Sequence, residues 1–172
     1  MKPDGTWSTL GVSEDTIRVA ADRLSERREL HQRVHRFFEQ AGSLMLHSWY
    51  RYSFASIAFF HAVLGVEKAL RLAYNDDGKD SFRMLFGRAV ADGVVHDGIF
   101  AEKSSFRKEF KSRLPEGLMS YSARMAALVP KIRNEYFHGE YIMAEDFLPL
   151  SLRLREIADA LATQKMPNKA PE

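Results

Sequence analysis

Apolar residues recur at helical spacing in five stretches of the chain, and no stretch alternates as a strand would. The first runs from Ser13 to Ala41, with Ile17, Ala21, Leu24, Val34, Phe38 and Ala41 on one stripe and Ser13 as N-cap. The second starts at Ser43 or Ser48 and ends at Tyr74. Phe54, Ile57, Ala58 and Leu64 mark one of its faces, and Phe59, Val63, Val66 and Leu70 mark another. A helix apolar on two faces belongs in the middle of a bundle. Asn75, Asp76, Asp77 and Gly78 stop it. The third, Ser81 to Asp92, carries Phe82, Leu85, Phe86, Ala89 and Val90, with Gly93 as its stop. Residues 94–117 are irregular apart from one short helix bearing Phe106 and Phe110. The fourth helix spans Leu118 to His138 before Gly139. Pro130 lies inside it and is expected to kink or restart it, because proline lacks a backbone donor and clashes with the preceding turn. The fifth, Phe147 to Ala162, is built on Phe147, Leu150, Leu154, Ile157 and Leu161.

Five helices with short connections predict an all-α, up-and-down bundle. A single domain is expected over residues 13–162. The Pro, Gly, Ser and Thr of residues 1–12 read as a flexible N-terminus, and TQKMPNKAPE (163–172) reads as a disordered tail.

Composition narrows the chemistry. The 172 residues include 25 basic and 23 acidic side chains, a formal net charge of +2, so any nucleic-acid contact must come from a local patch. There are no cysteines, which excludes disulfides, thiolate catalysis and cysteine-ligated zinc and fits a cytoplasmic protein. The N-terminus has no apolar run of the signal-peptide kind. The least charged stretch, Tyr52 to Val66, is 15 residues against the roughly 20 that a span needs, so a buried core helix rather than a membrane segment is expected. Neither a phosphate-binding nor a dinucleotide-binding glycine motif is present, and no cofactor is expected.

The most informative segment is IRNEYFHGE, Ile132 to Glu140. On a helix, Ile132 and Tyr136 share a side with Met125, Leu128 and Val129, which faces the core. Arg133, Asn134, Phe137 and His138 gather on the other side. Arginine offers a planar fork of donors for a phosphate and stays protonated. Histidine takes and gives a proton near neutral pH. The helix C-terminus favours charged His138, and Lys131 opposes it. An apolar Phe137 among these polar groups suggests a covering protein partner. The structural alternative is that Arg133 pairs with a carboxylate and His138 caps the helix end.

RNEYFHG resembles the R-N-x-x-x-H signature of HEPN domains, and HAVLGVEKALRLAY (His61 to Tyr74) is similar to their second-helix pattern. The likeness covers roughly residues 48–162. It implies a helical bundle that dimerises and brings two signature motifs into one cleft. Ribonuclease members of the family are metal-independent endoribonucleases of toxin–antitoxin and defence systems, so RNA and a cognate antitoxin or defence protein are the implied partners. Carried over, Arg133 and His138 form the catalytic pair and Asn134 positions them. Phe137 lies at the implied homodimer interface. HEPN toxins paired with minimal nucleotidyltransferases often have R-x(4)-H-x-Y. Here Gly139 and Glu140 follow His138, and the tyrosine arrives one place late, as Tyr141.

Weaker candidates surround this core. Lys131, Tyr141, Arg107 and Lys108 are possible substrate contacts. The last two lie in EKSSFRKEFKSR (Glu102 to Arg113), five basic and two acidic residues interleaved with Phe106 and Phe110. Such a segment suits a phosphate backbone with stacked bases, or a short helix anchored by its phenyl rings. Glu67 is placed to anchor a basic residue of the fourth helix, Arg133 included, or to form an ordinary helix ion pair. His31 and His35 have metal-ligand spacing without supporting ligands, and no metal is expected. The arginines of the first helix read as a solvated face with pairs such as Glu29–Arg33.

Overall fold

The computed structural model describes residues 2–100, 117, 120–137 and 147–165. Among them the chain is all-α. The helices are α1 (Gly5–Thr9), α2 (Glu14–Ser25), α3 (Gln32–His47), α4 (Ser53–Ala73), α5 (Phe82–Ala91), α6 (Tyr121–Phe137) and α7 (Phe147–Lys165), with a 3₁₀ turn at Asp97–Ile99. The two-faced apolar helix is central as expected. α4 packs chiefly against α3 and α7 and also touches α5 and α6. Ala58, Phe59, Val63, Val66 and Leu70 are completely buried. Gly65 makes the α3–α4 approach possible, because a Cβ there would stand 2.8 Å from the Phe38 ring. Gly42 does the same between α3 and α2, where a Cβ would meet the Ala21 carbonyl oxygen at 2.6 Å. At 21 residues α4 is the one described helix long and apolar enough to cross a membrane. In the bundle, 56% of its most apolar window is buried.

The N-terminal segment is more ordered than its composition suggests. Trp7 of α1 is 1% exposed. Its indole N–H donates to the Ser48 carbonyl at 2.6 Å, and its ring meets Tyr52 edge-on at 4.8 Å. Asp4 accepts from the Thr6 and Tyr52 amides, both at 2.9 Å, which ties α1 to the start of α4. These bonds, the one from Tyr52 foremost, hold the Asp4 carboxyl below its usual pKa. One large aromatic side chain with a polar handle outweighs the turn-forming residues around it.

The stretch Ser13–Ala41 is two helices rather than one. Ser13 caps α2 as expected, accepting from the Thr16 amide at 3.2 Å. α2 then ends at Ser25, and α3 begins after His31, whose Nδ1 accepts from the Arg33 amide at 3.1 Å. Glu29 falls in this connection, so the expected i,i+4 pairing with Arg33 is lost. The cause is tertiary. Arg155 of α7, 3% exposed, donates to the carbonyls of Leu24 and Glu26, at 2.7 Å for the latter, and so takes the place of the next helical turn.

α6 runs through Pro130 as one helix, so the expected restart does not occur. Its start is capped from a distance, because the Asp97 carboxylate accepts from the Tyr121 and Ser122 amides at 3.1 and 2.9 Å. α7 outlasts its expected end, so residues 163–165 are helical rather than tail. Lys165 reaches Asp92 at 3.2 Å and lies over the Tyr74 ring. Residues 166–172 lie outside the described residues.

Candidate functional site

Ile132, Met125, Leu128 and Val129 are buried, as the helical reading of IRNEYFHGE requires. Tyr136 turns to the same side and stacks on Phe60 of α4, with ring centroids 3.5 Å apart and planes 24° apart. This contact, with one between Arg133 and Glu67, sets the α4–α6 seam. Going up α6 from 133 to 136 corresponds to going down α4 from 67 to 60, so the two helices run antiparallel here.

Arg133 sits at the edge of that seam rather than fully away from the core. Its side chain is 32% exposed. Nη2 donates to Glu67 Oε2 at 3.3 Å, and Nη1 donates to Asn134 Oδ1 at 3.1 Å. Arg133 therefore does pair with a carboxylate. Asn134 is exposed beside it.

Glu67 is itself held. Its other oxygen accepts from Arg71 Nη2 at 2.8 Å, one turn further along α4. Arg71 Nη1 bonds Asp76, and Asp76 also accepts from the amides of Gly78, Lys79 and Asp80, each at 3.1 Å. The result is a relay, Asn134–Arg133–Glu67–Arg71–Asp76, that ends in the turn closing α4. Bonding to Glu67, opposed by some burial, pushes the Arg71 guanidinium further above its ordinary pKa. The amide bonds, that of Asp80 first, pull the Asp76 carboxyl below its own. The sequence pointed to Glu67 as an anchor. It did not reveal Arg71 and Asp76, although the Glu67–Arg71 spacing of four is itself a legible helix pair.

The remaining candidates divide. Lys131 is exposed, 4.0 Å from Glu135 and about 200° around the helix from Arg133, so it does not join the Arg133 cluster. His138, Tyr141, Arg107 and Lys108 lie outside the described residues, as does the side chain of Phe137. His61 neighbours Phe60 on α4, and burial lowers its pKa, which favours the neutral imidazole at pH 7. His31 is spent on capping α3. Among the described residues no three His, Asp or Glu side chains cluster so as to hold a metal ion.

The geometry supplies an anchored guanidinium and an exposed amide, five and four residues before His138 in sequence. The guanidinium fork and the amide can bind an anion. Comparison with protein-family models, curated proteins and solved structures finds no match to the chain.

Proposed function

We propose that the chain is a HEPN-type, metal-independent endoribonuclease of a toxin–antitoxin or antiviral-defence system, cytoplasmic and acting as a homodimer. The observation that carries this reading is the anchoring of Arg133. A guanidinium held in place beside an exposed amide, five residues before a histidine, supports a preorganised phosphate receptor rather than a loose surface cation. In the proposed reaction the ribose 2′-hydroxyl attacks the adjacent phosphorus. One His138 takes its proton. The bond from phosphorus to the 5′-oxygen breaks, and that oxygen takes a proton from His138 of the second subunit. Arg133 binds the phosphate and stabilises its growing charge, and Asn134 orients the imidazole or a phosphate oxygen.

The test is cleavage of single-stranded RNA by the purified chain in EDTA. The expected 5′ fragment ends in a 2′,3′-cyclic phosphate, and the 2′-deoxy substrate stays uncut, since the nucleophile is the substrate's own hydroxyl. A cyclic product absent from every RNA of a broad panel defeats the nuclease reading.

The dimer has its own test. Phe137 closes α6 beside this cluster, and Phe137→Asp is expected to halve the mass of the assembly in light scattering. An unchanged mass removes Phe137 from the interface.

A second reading has one observation in its favour. Both terminal nitrogens of Arg133 already have acceptors, in Glu67 and Asn134. A HEPN-like module that binds RNA, a nucleotide or a partner protein without cutting uses the same face. RNA binding without cleavage is its signature.

A further inference from the structure

A second surface, on the far side of α2, is self-complementary. Asp15, Val19 and Arg23 follow one another at i, i+4 and i+8 and so form one stripe about 12 Å long. Val19, at its centre, is 59% exposed, one of the few large apolar side chains among the described residues so open to solvent. It does not stand alone. Beside it lies a groove of about 410 Å³ between α2 and α7, walled by Ala20, Leu148 and Leu152 as well as the stripe. Leu152 is buried and Leu148 half-buried. The stripe is acidic at the N-terminal end of α2 and basic at the C-terminal end. Asp15 is exposed, and the Arg23 side chain, 46% exposed, forms an ion pair with Glu156 at 3.6 Å while keeping half of its surface open to a second acid.

We propose that this face of α2 docks on the same face of a second copy of the chain. A two-fold axis through Val19 lays the two α2 helices antiparallel. Val19 then meets Val19, and each Asp15 faces Arg23 of the second copy. An apolar centre flanked by charges of opposite sign, equidistant from it, is the pattern an isologous contact needs, because one surface must supply both halves. The antiparallel arrangement also opposes the two helix dipoles. The contact is separate from the Arg133 cluster. α2 packs on α3 and α7, whereas Arg133 and Glu67 join α6 to α4. Formed together with the proposed Phe137 contact it joins two dimers into a tetramer, and formed alone it gives a dimer, so each substitution halves the mass in either case and the proposal stands whether or not the chain cleaves RNA.

Charge reversal tests it on the full chain at micromolar concentration. Asp15→Arg sets an introduced arginine against Arg23 of the second copy, and Arg23→Asp sets an introduced aspartate against its Asp15. Each variant alone is expected to halve the mass seen by light scattering, with far-UV circular dichroism unchanged. An equimolar mixture is expected to regain the wild-type mass, because both cross pairs are again of opposite charge. The recovery also shows that each variant is folded. A wild-type mass equal to the monomer, a mass untouched by either substitution, or a mixture that stays at half overturns the proposal.

Discussion

His138→Ala is expected to slow RNA cleavage by about 10²–10⁴-fold, the range that a positioned proton-transfer group contributes. The fold should survive, because on the helical reading His138 faces away from the core side that Ile132 and Tyr136 share. Arg133→Ala is expected to cost about 10²–10³-fold in turnover, as loss of a preorganised charge-stabilising donor does, and to weaken RNA binding as well. Arg133→Lys keeps the charge and loses the fork, so affinity recovers more than turnover. Glu67→Gln separates positioning from charge. The amide keeps the size of the side chain but removes the anion 3.3 Å from Arg133. RNA should then bind as well as before or better, because a negative charge near the phosphate is gone. The maximal rate should fall, because the fork is less firmly held. A purely structural Glu67 would instead lower stability without splitting KM from kcat. Single-turnover cleavage of a fluorescent RNA, with binding measured separately, reads all four variants. Undiminished cleavage by His138→Ala would place the active site elsewhere.

The bundle was legible because helix period and burial agree residue by residue. Phe59, Val63, Val66 and Leu70 form a stripe in the sequence and are all completely buried in α4. What escaped was set by contacts between residues far apart in the chain. Nothing local in Ser13–Ala41 marks a break at 26–31, since no glycine or proline stands there. The carbonyls at the break are met by Arg155, about 130 residues away. Trp7 was hidden by its neighbours, whose turn-forming character is real but weaker than the burial of an indole. The site divides the same way. Arg133, Asn134 and His138 were singled out by the resemblance of RNEYFHG, and the structure describes the first two side by side at the α4–α6 seam. The relay through Glu67, Arg71 and Asp76 needs α4 and α6 side by side, and its last bond needs a turn in which Asn75 and Gly78 take positive φ. Only the Glu67–Arg71 step is written in a single helical period.

Arg155→Ala is expected to destabilise the chain by about 1–3 kcal/mol, the cost of leaving a buried acceptor without its donor. The side chain is 4% exposed and makes three kinds of contact. It donates to the carbonyls that end α2, it pairs with Asp159 at 3.0 Å, and its guanidinium lies over the Phe38 ring at 5.3 Å. Alanine strands the Leu24 carbonyl without its donor and leaves a void against Phe38. It also removes the bond that ends α2 at the right place, so the connection to α3 loses its anchor. Asp159 suffers least, because Arg28 also reaches it at 3.1 Å. Arg28 is the built-in control. It touches the same carboxylate, but its side chain is 52% exposed. Water replaces an exposed guanidinium readily, so Arg28→Ala should cost about 1 kcal/mol or less. Urea unfolding followed by circular dichroism compares the two. A large drop in midpoint for Arg155→Ala at constant m-value, with little change for Arg28→Ala, identifies the buried cap as the source of stability. Equal small losses would mean that the α2 carbonyls are satisfied by solvent, and that the break at 26–31 does not depend on Arg155.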